Sequence, residues 1–209
     1  MISSSMYQQY FSALRNGNRE TCTRIVQDLL DRKIDLKMLY VNLFQKSLYQ
    51  VGELWETNQI TVAREHMVTA LTESLLNLVY PVLFSAPHKE KSAIVSCAAN
   101  EYHQIGSKIV ADFFELNGWD CHFLGANTPL ADLLKFIDEV NPDLLGLSLS
   151  VYFNMPALRK TIEAVTSDFP HLDLLVGGQA FNRGGKNIVN NYPNTRYIAS
   201  LDELESLIA

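Results

Sequence analysis

The spacing of hydrophobic residues changes near residue 90, and this change constrains the fold more than any other feature of the sequence. Up to about residue 86, apolar residues recur at helical spacing in four stretches, 7–14, 22–30, 36–54 and 60–84. Short polar breaks separate these stretches. Four amphipathic helices with short connections predict an antiparallel four-helix bundle over residues 1–86.

Beyond a short polar linker at 86–90, strand-like and helical patterns alternate. The strand-like apolar runs lie at 92–98, 121–125, 143–150, 173–178 and 196–199. The helical patterns lie at 105–116, 129–140, 156–167, 186–192 and 202–208. This alternation predicts a parallel sheet covered on both faces. We therefore expect an α + α/β chain, with the bundle followed by a flavodoxin-like (Rossmann-type) five-stranded domain over residues 91–209. A ligand should bind beyond the carboxyl ends of its strands.

Composition excludes several classes of function. The net charge is -6 with no cluster of Lys or Arg, which disfavours direct nucleic-acid binding. No apolar run approaches the roughly 20 residues that cross a bilayer, and the N-terminus does not resemble a signal peptide. Cys22, Cys97 and Cys121 are odd in number and widely spaced, as expected of buried thiols in a reducing compartment. We therefore expect a cytoplasmic protein without membrane contact.

The residues most suited to chemistry follow the first predicted strand, where Glu101, His103 and Gly106 form a Glu-x-His-x-x-Gly motif. A loop histidine can coordinate a metal through one ring nitrogen while a nearby carboxylate accepts a hydrogen bond from the other. Glycine lets the backbone approach a flat, bulky ligand. Taken alone the motif is weak, because a single loop histidine is more often a solvated side chain.

The spacing downstream makes the motif specific. Forty-one residues separate Gly106 from Ser148-Leu149-Ser150, and 26 more separate Ser150 from Gly177-Gly178. With these gaps the sequence resembles the cobalamin-binding domain family, whose signature is Asp-x-His-x-x-Gly, Ser-x-Leu and Gly-Gly. In that family the nucleotide tail of the cofactor leaves cobalt and runs down a slot. The resemblance implies that Ser148 contacts this tail and that Gly177 and Gly178 form the floor of the slot.

The same resemblance implies that His103 is the lower axial ligand of cobalt and that Glu101 is its hydrogen-bond partner. The sequence departs from the family at two positions. Glu101 replaces the usual aspartate, with the same acceptor chemistry, and Ser150 replaces the usual leucine, which adds a hydroxyl to the tail slot. We expect cobalamin binding to survive both changes, and we include Ser150 among the residues that contact the cofactor.

The helical half carries a second pattern, in which nine residues separate Trp55 from Glu65-His66. Trp55 should end the third helix, and Glu65 and His66 should lie just inside the fourth, with Thr61 as N-cap. All three would then lie at one end of the bundle. In isolation these residues are equally consistent with a core tryptophan between helices and an exposed Glu-His pair.

Together with the loop motif, this pattern makes residues 20–205 resemble the light-sensing region of CarH/LitR-type adenosylcobalamin photoreceptors. In that family the Trp and Glu-His pack around the upper adenosyl group. Light breaks the cobalt–carbon bond, the bundle moves and the oligomeric state changes. The resemblance implies adenosylcobalamin as the cofactor, a bundle that covers the upper face of the corrin, and a possible homo-oligomer.

The sequence also departs from these photoreceptors. It contains no helix-turn-helix domain, so we expect the signal to pass to a separate output partner, either a transcription regulator or a kinase. The histidine that follows the tryptophan in the family is Glu56 here. Two alternatives remain open: a corrinoid methyl-carrier subunit of a methyltransferase system, and binding of another tetrapyrrole or corrinoid. Binding of a second chromophore near Tyr102, Tyr152 and Phe153 stays open as well. No residues resemble a nucleophile–base pair, so we do not expect an enzyme.

Overall fold

The computed structural model describes residues 1–85 and 87–209, and over these residues the chain forms two compact units that meet in sequence after Ser85. Each unit is described here by itself. The sequence-based boundary of the helical half at residue 86 falls on Ala86, which lies outside the described residues.

The unit within residues 1–85 is helical. Its helices are α1 (Ser4–Arg15), α2 (Arg19–Asp31), α3 (Leu36–Leu39), α4 (Lys46–Glu56), α5 (Val62–Leu76) and α6 (Tyr80–Leu83), and a π-helical segment at Tyr40–Gln45 joins α3 to α4. The side chains of four residues accept backbone N–H groups at the helix starts, namely Ser3, Asn18, Asp35 and Thr61. α5 packs against α1, α2 and α4, and the fully buried side chains between the helices include Tyr10, Leu14 and Phe44.

The last helical stretch differs from the sequence prediction. The continuous helix expected over 60–84 ends at Leu76, and α6 begins after a turn with Pro81 in its first positions. Proline has no N–H for a helical hydrogen bond, and its ring clashes with the preceding turn. It therefore fits the start of a new helix better than the interior of a long one. The apolar spacing alone did not reveal this break.

The unit within residues 87–209 contains a five-stranded parallel sheet. Its strands are β1 (Ser92–Cys97), β2 (Asp120–Gly125), β3 (Leu144–Ser148), β4 (Asp173–Gly177) and β5 (Thr195–Tyr197), in the order β2-β1-β3-β4-β5. This is the flavodoxin-like order, and it confirms the predicted fold class. The strand order reverses between β1 and β3, so their following loops flank the crevice where such sheets bind ligands.

The helices of this unit are α7 (Ile105–Leu116), α8 (Leu130–Val140), α9 (Met155–Asp168) and α10 (Leu201–Ile208). The α-helix expected over 186–192 is wrong, because Lys186–Asn191 forms a 3-10 segment. The segment is short, and Pro193 follows it closely. Proline restricts the backbone of the residue before it and disfavours the helical conformation there. In the described parts of the chain, no helix has the length and apolar character needed to cross a membrane.

Candidate functional site

The carboxylate of Glu101 lies at the centre of the site, fully buried in the loop between β1 and α7. Its Oε1 accepts hydrogen bonds from the backbone N–H of His103 at 2.9 Å and from Nδ1 of His103 at 2.6 Å. Its Oε2 accepts from the backbone N–H groups of Ser150 at 2.9 Å and Val151 at 2.8 Å, in the loop after β3. One side chain thus joins the two loops on either side of the switch point.

These four donors explain the charge state of Glu101. Burial raises the pKa of the carboxyl, but the hydrogen bonds from His103, Val151 and Ser150 outweigh burial and lower the pKa from 4.5 to about 2. The group is therefore an anion across the physiological range. A buried anion with four hydrogen-bond donors is a rigid acceptor.

The imidazole of His103 is half exposed, with 53% of its side chain accessible. Since an ionised carboxylate only accepts hydrogen bonds, Nδ1 carries a proton, and when the ring is neutral its lone pair lies on Nε2. This is the arrangement found behind metal-ligating histidines, where a carboxylate fixes the tautomer and raises the basicity of the ligand.

The donor set decides which kind of metal suits His103. Among the described residues, no group of three or more His, Cys, Asp or Glu side chains could hold a metal ion. A bare transition-metal ion is usually held by about three or four protein ligands. A single oriented imidazole instead fits a metal that arrives with its equatorial ligands, as the cobalt of a corrinoid does.

The glycines and serines named from the sequence lie at the same edge of the sheet. Ser148 ends β3 and pairs with Gly177, the last residue of β4. Gly178 follows with φ +111°, and a Cβ there would lie 2.2 Å from the carbonyl oxygen of Leu149. Gly178 therefore has no room for a side chain. Ser150 contributes its backbone N–H to Glu101, a role that its side-chain identity does not reveal.

Gly106 lies in the first turn of α7, and a Cβ there would have no described atom within 4 Å. The protein's own packing therefore does not require glycine at this position. The open space beside the histidine loop leaves room for a bulky ligand.

The bundle unit places its three named residues at one end, as expected. Trp55 is next to last in α4 and is 43% exposed, so the alternative of a core tryptophan is wrong. Thr61 caps α5 by accepting from the N–H of Arg64, and Glu65 and His66 follow in the first turns. Glu65 accepts a hydrogen bond from the Thr69 hydroxyl at 2.7 Å, and His66 is largely exposed.

Family comparisons agree with this geometry. Residues 91–197 match a family model described as a B12 binding domain, and residues 6–80 match a second model of that description. The chain belongs to the B12-binding domain family. It therefore binds cobalamin or a related corrinoid, and both of its units match B12-binding models.

Among curated proteins, this B12-binding chain is similar to two transcriptional repressors of Myxococcus xanthus. The HTH-type repressor CarA is 34% identical over 90 residues, which cover 43% of this chain and 31% of CarA. The HTH-type repressor CarH is 29% identical over 135 residues, covering 64% of this chain and 44% of CarH. The aligned region thus spans less than half the length of either repressor.

Similarity also extends to corrinoid proteins. Dimethylamine corrinoid protein 1 of Methanosarcina acetivorans is 26% identical over 135 residues, which cover 62% of each protein. Among solved structures, the monomethylamine corrinoid protein of Methanosarcina barkeri has a TM-score of 0.84 at 14% identity, covering 97% of this chain and 96% of that one. At this identity the structural likeness concerns the fold.

Sequence reasoning identified Glu101 and His103 but missed the residues that support their loop. The backbone N–H of Val151 binds Glu101, and the side chains of Asn127 and Asn154 bind the backbone of Asn100. A backbone donor leaves no trace in residue identity. The asparagines lie in loops at the carboxyl edge of the sheet, so their position was the one available signal.

Proposed function

We propose that His103 ligates cobalt from below through Nε2, in place of the cofactor's own dimethylbenzimidazole base. The observation that carries this proposal is the 2.6 Å hydrogen bond between Nδ1 of His103 and Oε1 of the buried Glu101. The cofactor would supply a cobalt–carbon bond that can be cleaved by light or by transfer of the carbon group. The protein residues orient the ligand nitrogen and hold the proton on the opposite side of the ring.

The described contacts support each of these roles. Glu101 keeps the proton on Nδ1, so Nε2 remains a lone-pair donor with raised basicity. The carboxyl edge of β3 and β4, with Ser148, Gly177 and Gly178, would line the slot for the displaced nucleotide tail. The close approach of Gly178 to the backbone at Leu149 keeps that edge free of side-chain bulk.

We further propose that the bound form is adenosylcobalamin and that the chain is a light sensor. Support comes from the sequence similarity to CarA and CarH and from Trp55, Glu65 and His66 at one end of the bundle. These three side chains would cover the upper adenosyl group. Loss of that group in light would release the bundle and pass a signal to a separate output partner, with a possible change of homo-oligomer. On this proposal the protein is a cytoplasmic signalling component and not an enzyme, and it does not contact nucleic acid directly.

A second candidate function is a corrinoid methyl carrier. It is favoured by the similarity to dimethylamine corrinoid protein 1 and by the fold match along almost the whole chain to the monomethylamine corrinoid protein. The same Glu101–His103 pair would serve in that role. The partner would then be a methyltransferase, and the upper ligand would be a methyl group.

Reconstitution separates the two candidates. The purified chain is loaded in the dark with adenosyl-, methyl- or hydroxocobalamin, and its absorbance and oligomeric size are measured before and after green light. A sensor should bind the adenosyl form preferentially and change both spectrum and size on illumination. A carrier should bind methylcobalamin without such preference and show no change of size in light.

The ligand assignment is tested with His103→Ala, and His171→Ala is the matched control. His171 is exposed and precedes β4, at the opposite edge of the sheet from the site. His103→Ala should lose the spectrum of histidine-ligated cobalt and bind far more weakly, whereas His171→Ala should match the parent. An unchanged spectrum and affinity in His103→Ala would overturn the assignment.

A further inference from the structure

The loop that carries Glu101 and His103 is held by two asparagine side chains from neighbouring loops. Asn100 directly precedes Glu101 and has left-handed backbone with φ +66°. Its N–H donates to Oδ1 of Asn127 at 2.9 Å, and its carbonyl accepts from Nδ2 of Asn154 at 2.9 Å. Both backbone polar groups of this one residue are thus fixed by side-chain amides.

Each asparagine is in turn anchored close to Glu101. Asn127 follows β2 with φ +51°, and its own N–H donates to the carbonyl of Glu101 at 3.0 Å. It therefore holds the chain on both sides of the peptide between Asn100 and Glu101. Asn154 directly precedes α9, and its N–H donates at 3.0 Å to the carbonyl of Val151, whose N–H binds the Glu101 carboxylate.

We propose that Asn127 and Asn154 are positioning residues that fix the loop presenting His103 to cobalt. This inference rests on the proposed role of His103 as the cobalt ligand. It adds two residues, from the loops after β2 and β3, to which the sequence motifs assigned no role. Their hydrogen bonds fix the backbone of Asn100, where the chain turns after β1, and therefore fix the position of His103 in the loop.

The size of the effect follows from the exposure of these bonds. A hydrogen bond at a partly solvated site contributes a net amount equivalent to roughly a 2- to 12-fold change in an equilibrium constant. A ligand residue must lie within about 0.5 Å and 10–20° of its productive geometry to act well. Loss of either amide should therefore lower the population of the ligating loop several-fold without unfolding the domain.

The side chain of Asn127 accepts a hydrogen bond from Asn100, whereas that of Asn154 donates one, and the variants test the two roles separately. Asn127→Gly removes the acceptor but tolerates positive φ, so backbone strain is not introduced. Asn127→Asp keeps an acceptor and should behave like the parent. Asn154→Ala removes the donor, and Asn154→Asp replaces it with an acceptor facing a carbonyl, so both should be impaired. Asn141→Gly is the matched control, since Asn141 also has left-handed backbone, φ +49°, but caps α8 at the other edge of the sheet.

Two readouts are needed. The first is amide hydrogen exchange at Glu101 and His103 in the protein without cofactor, which should be about 3- to 10-fold faster in Asn127→Gly and Asn154→Ala. The second is titration with hydroxocobalamin, in which the fraction with histidine-ligated cobalt, as distinct from cobalt ligated by the cofactor's own base, should fall in the same variants. The thermal midpoint should change little, which separates positioning from a general structural role.

The results that would support the positioning role of the two asparagines differ from those that would overturn it. Faster exchange and reduced histidine ligation, restored by Asn127→Asp but not by Asn154→Asp, would support the inference. Exchange and ligation within about twofold of the parent in both Asn127→Gly and Asn154→Ala would overturn it, and so would equal effects in Asn141→Gly. If the parent itself lacks histidine ligation, the proposed function fails, and the exchange data still decide whether the asparagines hold the loop.

Discussion

Replacing Glu101 by glutamine tests the centre of the site with a change of almost no volume. In the parent, both carboxylate oxygens accept two hydrogen bonds each. Glutamine offers one oxygen and one NH2 group. If its oxygen faces Ser150 and Val151, the NH2 faces His103 and favours the ring tautomer with the proton on Nε2, which leaves no lone pair on Nε2 for a metal. If the amide turns the other way, two part-buried N–H groups of the β3 loop lose their acceptor.

The expected cost can be worked out in two ways. Leaving two part-buried N–H donors without an acceptor costs at most about 2–6 kcal/mol, at about 1–3 kcal/mol for each fully buried donor. The lowered pKa of Glu101 reflects the same hydrogen bonds and gives a second figure, because the fall from 4.5 to about 2 corresponds to about 3 kcal/mol at about 1.4 kcal/mol per unit. We therefore expect Glu101→Gln to reduce the free energy of unfolding by about 3 kcal/mol at pH 7.

The lowered pKa of Glu101 determines how the difference in unfolding free energy between the parent and Glu101→Gln changes with pH. A carboxyl whose pKa is lower in the folded state stabilises the fold above its unfolded pKa of 4.5 and loses this contribution as pH falls through about 2. The difference between parent and Glu101→Gln should therefore be constant near neutral pH. It should shrink to about 1 kcal/mol at pH 3.

The assay is urea unfolding of the cofactor-free protein at pH 7 and pH 3, followed by cobalamin titration at pH 7. Glu101→Gln should bind about 10- to 100-fold more weakly, as expected when the partner of a metal-ligating histidine is lost. Glu101→Asp, which keeps the charge, should be less impaired than Glu101→Gln. Equal stability and affinity in Glu101→Gln and the parent would refute the assigned role of the carboxylate.

Three further changes test the rest of the site. Trp55→Ala should alter the free energy of unfolding little, because the side chain is 43% exposed, but should weaken the preference for adenosyl- over hydroxocobalamin; an unaltered preference would contradict the proposed contact. Gly178→Ala should destabilise the protein by about 2–4 kcal/mol in urea unfolding, because φ is +111° and a Cβ would meet a backbone oxygen at 2.2 Å. The control Gly52→Ala in α4 should be neutral or stabilising, because a Cβ there has open space. After illumination of the adenosyl form we expect water on cobalt, because His66 lies on a helix and would have to swing in; a bis-nitrogen spectrum lost in His66→Ala would show the opposite.

The fold was largely predictable because the spacing of apolar residues and the turn residues between the patterns are local properties of the sequence. Alternating apolar strands and amphipathic helices led to the parallel sheet, and the strand bounds differ by one or two residues from the patterns. The break before α6 and the 3-10 segment at Lys186–Asn191 were not predicted. Pro81 interrupts the first apolar pattern and Pro193 closely follows the second, so in both places the backbone departs from what periodicity alone indicates.

The site was predictable only where side-chain identity carries the function. The resemblance to the cobalamin-binding domain family, which the motifs at Glu101, His103 and Gly177-Gly178 carry, implied the ligand class. The groups that complete the site are backbone N–H donors at Ser150 and Val151 and amide side chains from other loops. Their contacts with Glu101 and Asn100 depend on which loops meet across the switch point, and the strand order determines which loops meet.

The glutamate at position 101 has a consequence beyond its charge. Its carboxylate binds His103 through one oxygen and the loop after β3 through the other. An aspartate is shorter by one carbon–carbon bond, about 1.5 Å, and on this backbone would not reach both sets of donors at hydrogen-bond distance. The longer side chain therefore couples the orientation of the histidine to the position of the β3 loop, where Val151, Tyr152 and Phe153 are exposed. A ligand that displaces this loop would act directly on the histidine's hydrogen-bond partner, so glutamate in place of aspartate changes the mechanics of the site as well as its acceptor.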